Sequence, residues 1–229
     1  MIDFFSTYGE HWSDWSVRLF EAAQITALLS FAGFSIALVL GAALTMAMRS
    51  SNWALRAVCR AFVELMRTVP LLALLLALYF ALPPLGLTLT AFWAGSIGLG
   101  LHGSAYIAEI LRGGLMSVHK GQRESALAAG LSPLQVFVRV VFPQALRVIL
   151  PPLLNTYVAL LKDSSLCALI ATDELMMAAR AISSESFLPM HIFLLVGVLY
   201  FSIAFPLSML SRWLQSRLNR GRRMTGRVT

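Results

Sequence analysis

Five long apolar runs, separated by polar or basic segments, set the pattern of this chain. They are uniformly apolar over about 20 residues, the length that crosses a bilayer as a helix. They lack the strict alternation of a barrel strand, and only helices or closed barrels satisfy their backbone in lipid. The pattern therefore predicts an all-α integral membrane protein with helices at approximately 22–48, 58–82, 90–111, 149–171 and 192–210. Together they form one transmembrane domain over residues 1–229.

The second run needs an argument. Its strictly apolar part, Val69 to Leu82, has 14 residues. It would reach only about 21 Å at about 1.5 Å per residue, against a hydrocarbon core about 30 Å thick. The helix is therefore expected to start earlier, to carry Glu64 and Arg67 into the membrane, and to kink at Pro70. Pro83-Pro84-Leu85-Gly86 then makes a rigid turn. Residues 173–188 predict a short amphipathic helix on the outer surface, a connector on the interface or a dock for an external partner.

Composition agrees with this picture, and charge orients it. The chain is 58% hydrophobic with a mean hydropathy of +0.76. It is 13% charged, against about a quarter in soluble domains. The net charge of +7 is unevenly spread. Segments 49–60, 112–147 and the tail from Arg212 hold 14 Lys and Arg, whereas the segments on the other side hold only Arg18 and Arg180 beside seven acids. The positive-inside rule places the N-terminus outside and the C-terminus in the cytoplasm. Orientation accounts for the basic charge, and nucleic acid is not an expected partner. The acidic first 21 residues do not resemble a signal peptide.

Catalysis finds little support. The chain has no GxxxxGK[ST] segment to cradle a nucleotide. His11, His102, His119 and His191 are too scattered for a metal site, and no base is placed to activate a serine. Glu64, Glu109 and Asp163 are the expected buried acids, and none sits in a protease motif. Neither enzymatic activity nor a bound cofactor is expected. Cys59 and Cys167 fall near opposite membrane faces, too far apart for a disulfide.

The cytoplasmic segment, approximately 119–143, has the character of a rigid protrusion. Glu124 to Ala129 is alanine-rich and helix-forming. Gly130 permits a left-handed reversal, and Ser132-Pro133 suits the cap and first residue of a second helix. Glu124-Ser125-Ala126, three residues, Gly130, nine residues and then Val140 to Pro143 resembles the EAA loop of ABC-importer permeases. The departures are at Ser125, Val140 and Phe142. The run AYIAEILRGGLMSVHKGQRESALAAGLS resembles the polar amino-acid subfamily, the histidine, glutamine and arginine type. So do VELMRTVPLL, PQALRVILPPLLN, LLKDSSL and FPLSMLSRWL, in that order, so the likeness covers about residues 20–215. Val69 stands where the family usually has glycine.

The resemblance implies a type I importer permease fold in the bacterial cytoplasmic (inner) membrane. It implies an identical or sister permease, an ABC ATPase dimer that holds ATP and Mg, an extracytoplasmic solute-binding protein and an amino-acid substrate. Glu124, Ser125, Ala126, Gly130, Leu131 and Pro143 would couple the chain to the ATPase.

Charges inside a membrane face a cavity or a partner. Helix counting puts Arg67 about 14 Å and Asp163 about 16 Å from the cytoplasmic side. Sharing a layer, Arg67 would hold the carboxylate and Asp163 the ammonium of an amino acid. Asn155 and Thr156 lie two turns before Asp163 and bring no acid, which favours a neutral polar substrate over arginine or lysine unless the sister subunit supplies the missing charge. The alternative is structural: a Glu64–Arg67 pair on one helix and Lys162 satisfying Asp163. Two other classes, an ATP-independent carrier and a membrane scaffold, leave the ordered motifs without a role. The first would also need matching halves.

Overall fold

In the computed structural model, which describes residues 2–220, the apolar runs fold as helices, with no strand among the described residues. In chain order these are α1 (Ile2–Ala47), α2 (Trp53–Thr68), α3 (Leu71–Leu76), α4 (Ala91–Met116), α5 (Lys120–Ala128), α6 (Pro133–Val136), α7 (Phe142–Asp163), α8 (Leu175–Ser186) and α9 (Pro189–Arg220). Two π-helical turns, Ala77–Ala81 and Phe137–Val141, continue α3 and join α6 to α7. A 3-10 segment, Ser164–Ile170, ends α7. Arg222, Arg223 and Arg227 of the basic tail lie outside the described residues.

Three helices are long and apolar enough to cross a membrane: Ser6–Ala47, Pro133–Ile170 and Pro189–Leu218. The pair α2 and α3 makes a fourth if counted as one broken span. The central helix α4 is not among these three, and its small residues are enclosed by the rest of the chain. Gly95, Ser96, Gly98, Gly100, Gly103 and Ser104 are all buried.

Three elements differ from the expected pattern. First, α1 starts about 20 residues before its apolar run. Trp15, Leu19 and Ala22 recur at helical spacing and pack on Leu175, Ala179 and Ile182 of α8 and Ile192 and Val196 of α9. Second, the helix expected at 58–82 is not one kinked rod, because α2 and the helix after it meet at 106°. Pro70 offers no N–H and forces Val69 out of the helical region, to ψ 128. The Thr68 hydroxyl donates to the Glu64 and Leu65 carbonyls at 2.9 and 3.1 Å, which closes the end of α2. Third, α8 does not lie free on the surface. Its apolar side is buried, and Glu174 just before it is fully enclosed.

The Glu174 carboxylate accepts hydrogen bonds from the Met177 amide (2.9 Å) and the Tyr200 hydroxyl (2.7 Å). Glu174 is thus the fully buried acid, while the Glu64 side chain is 68% exposed. At the open edge of α8, Arg18 donates to both Glu185 oxygens at 2.6 and 2.9 Å. Those bonds hold the Glu185 carboxyl below its ordinary range. Cys59 and Cys167 are free and buried in different clusters.

The α1–α4 contact depends on absent side chains. A Cβ at Gly100 would stand 2.4 Å from Ile36 Cγ2 and 2.7 Å from its Cβ, which no rotamer change relieves. Gly100→Val is expected to destabilise the helix pair by roughly 1–3 kcal/mol. The measurement is a thermal melt of the detergent-solubilised protein, and an unchanged midpoint would contradict the packing.

Candidate functional site

The segment between α4 and α7 is built from caps. The Gly121 amide donates to His119 Nδ1 at 3.1 Å and starts α5. At its end Gly130 has φ 84. Its amide donates to Leu127 (2.9 Å), and the Leu131 amide to Ala126 (3.2 Å). This is the Schellman pairing of a left-handed helix stop. Leu131 and Ala126 then pack on Val118, Val136 and Val141. Ser132 opens α6 with a reciprocal capping box: its hydroxyl accepts from the Gln135 amide at 3.3 Å, and the Gln135 side chain accepts from the Ser132 amide at 2.9 Å. Pro133 follows as the first helical residue. Arg123 ties α5 to the end of α4 by donating to the Leu115 carbonyl.

Glu124, Ser125 and Leu127 remain exposed on α5, as does Leu134 on α6. Pro143 does not close a loop as the sequence pattern implies. It sits in the first turn of α7, which runs on from α6 through the π turn. One helical rod therefore extends from Pro133 to Ile170.

Along that rod lies a cavity of about 400 Å³ between α4 and α7, lined by His102, Tyr106, Asn155, Thr156 and Asp163 among others. Its volume falls in the usual range for small-molecule sites, about 300–1,000 Å³. Asn155 Oδ1 accepts from the buried Ser211 hydroxyl of α9 at 2.7 Å, which fixes the amide's orientation. Thr156 donates to the Pro152 carbonyl at 3.0 Å. Asp163, at the last position of α7, is half-buried, and no ion pair to it, from Lys162 or elsewhere, is present among the described residues. The His102 ring lies 5.2 Å from that of Tyr106, and its Nδ1 is buried without a hydrogen-bond partner. An unpaired carboxylate and an orphan imidazole nitrogen suit a ligand with an ammonium and a hydrogen-bonding group.

Arg67 does not share this cavity. It lines a second one, about 520 Å³, between α1, α2 and α4 with Arg49, Arg60, Glu64, Glu109 and Arg112. There it pairs with Glu64 at 3.4 Å, the structural alternative read from the i,i+3 spacing. The break at Pro70 turns α2 away from the direction of a continuous span, so depth counted along one straight helix did not bring Arg67 to Asp163. His102 and Tyr106 were missed because metal-site reasoning asks for histidine pairs. Their signal was a histidine inside an apolar run with an aromatic one turn later.

These features define a membrane protein with a capped helix pair continuous with a cavity-lining helix. The chain belongs to the binding-protein-dependent transport system inner membrane component family, which matches residues 37–223. Among its relatives, the glutamine transport system permease protein GlnP of Escherichia coli K12 is 35% identical over 213 residues, covering 90% of this chain and 97% of that one. The probable glutamine ABC transporter permease protein GlnM of Bacillus subtilis is 37% identical over 160 residues, 70% of this chain and 74% of that one. A solved structure, described as an amino acid ABC transporter with histidines, superposes with a TM-score of 0.85 at 28% identity, covering 95% of this chain and 99% of that one.

Proposed function

We propose that the chain is one half of the translocation pore of an ATP-driven importer for polar amino acids or related small zwitterions. The observation that carries the reading is the single helical rod from Pro133 to Ile170. Its first turn belongs to the capped cytoplasmic pair, and its far end holds Asn155, Thr156 and Asp163 on the cavity. About 30 residues of helix, roughly 45 Å, link a protrusion that an ATPase can grip to a site that a solute can occupy.

In this reading α1, the broken pair α2 and α3, α4, α7 and α9 make five crossings, with the N-terminus outside. Glu124, Ser125, Ala126, Gly130 and Leu131 form the face and turn that meet an ABC ATPase dimer holding ATP and Mg. Pro143 lies on the rod that transmits its movement. ATPase closure draws the two helix pairs of a permease dimer together, tilts both rods and exchanges inward for outward access. Asp163 holds the substrate ammonium, with Asn155, Thr156 and His102 beside it. The glutamine permeases among the relatives support a polar amino acid. A sister or identical permease completes the pore in the bacterial inner membrane, and a solute-binding protein delivers the substrate from outside.

The test is affinity purification in mild detergent from the native membrane. An ABC ATPase is expected to elute with the chain, together with a second copy or a sister permease. Its absence, under conditions that keep a known importer whole, would overturn the reading in favour of an ATP-independent carrier.

A further inference from the structure

The arginine-lined cavity between α1, α2 and α4 has no part in the transport reading. Two of its four arginines are neutralised in place: Arg67 by Glu64 at 3.4 Å, and Arg112 by Glu109, with Nε to Oε2 at 3.0 Å. Both acids in the cavity are thereby engaged. Arg49 and Arg60 line the same space with no ion pair among the described residues, leaving a local charge of two positives. Arg49 follows the end of α1, and Arg60 stands in the second turn of α2.

The surroundings are apolar and exposed. Met46, in the last turn of α1, and Trp53, the first residue of α2, are each 75% exposed. An exposed tryptophan beside arginines at the ends of membrane helices is the signature of the bilayer interface. Basic pockets between helices at the cytoplasmic leaflet receive anionic headgroups. A guanidinium matches a phosphate with two parallel hydrogen bonds.

We infer that this cavity is a phosphate site that takes the headgroup of an anionic glycerophospholipid from the cytoplasmic leaflet, with Arg49 and Arg60 as its ligands. The acyl chains lie along Met46 and Trp53. The inference goes beyond the transport reading and shares with it only the cytoplasmic placing of the α1–α2 turn.

Native mass spectrometry of the purified transporter complex tests it, after exchange into neutral detergent with added phosphatidylglycerol, phosphatidylcholine or inorganic phosphate. Retained phosphatidylglycerol is expected in preference to phosphatidylcholine. The double variant Arg49→Gln/Arg60→Gln should lower that retention roughly thirtyfold. Arg139→Gln/Arg147→Gln removes the same charge elsewhere and should leave retention unchanged. If the glutamine pair does not assemble, Arg49→Lys/Arg60→Lys keeps the charge without the fork, and a clear fall in retention is still expected. Equal retention of both lipids, or no fall in either cavity variant, would overturn the site. Displacement of phosphatidylglycerol by millimolar inorganic phosphate would overturn the lipid source and assign the cavity to a soluble phosphate. Co-purification of the ATPase is unaffected by any of these outcomes, so the two readings fail separately.

Discussion

Replacing Gly130 by valine is expected to cut ATP-driven uptake at least about tenfold while membrane insertion and size-exclusion behaviour persist. The reason lies in the backbone. Gly130 has φ 84, and an added Cβ there would meet nothing within 4 Å. The substitution is therefore not opposed by a clash but by the left-handed conformation, which costs an L residue about 1–2 kcal/mol and a β-branched one more. Relieving that strain breaks the Gly130–Leu127 and Leu131–Ala126 hydrogen bonds and turns α5 away from α6. Gly130→Asn separates turn from contact, because asparagine tolerates this conformation. Uptake lost with valine and kept with asparagine would support a geometric coupling element. Normal uptake with both would remove the coupling assignment. Glu124→Lys leaves the turn intact and reverses an exposed charge on α5, so its loss of uptake should come with weaker ATPase retention.

Asp163→Asn is expected to weaken substrate-stimulated transport by roughly tenfold to a hundredfold, since a hydrogen bond to a charged group contributes about 1.5–3 kcal/mol. Basal ATPase activity of the reconstituted complex should remain. The carboxylate has no ion-pair partner among the described residues, so its removal orphans no protein cation and the fold should tolerate it. Arg67→Gln is the informative comparison. Because Arg67 lines the other cavity and pairs with Glu64, it should change the substrate dependence far less than Asp163→Asn. Basal and stimulated activity falling together in Asp163→Asn would mark a structural residue. A larger shift in substrate KM from Arg67→Gln than from Asp163→Asn would return the carboxylate-binding role to Arg67.

The helical class, the family and the caps of the segment between α4 and α7 were legible in the sequence because each rests on local chemistry. Apolar runs of spanning length must be helical in lipid. The helix stop at Gly130 and the start at Ser132-Pro133 are decided within a few residues. The family likeness is carried by short motifs in order along the chain.

What lay beyond the sequence depended on where helices go after they form. The 38-residue rod from Pro133 arose because α6 and α7 join through a π turn, which hydropathy alone does not register. The α1 extension became visible only through its partners on α8 and α9. Pro70 announced a disturbance in the second helix, but its 106° size is set by how α2 and α3 pack on α4. Arg67, on α2 before that break, lines the arginine-lined cavity, whereas His102 of α4 and Asp163 of α7 line the other. Residue spacing measures depth along one straight helix, and which side chains share a cavity is fixed by the angles between helices.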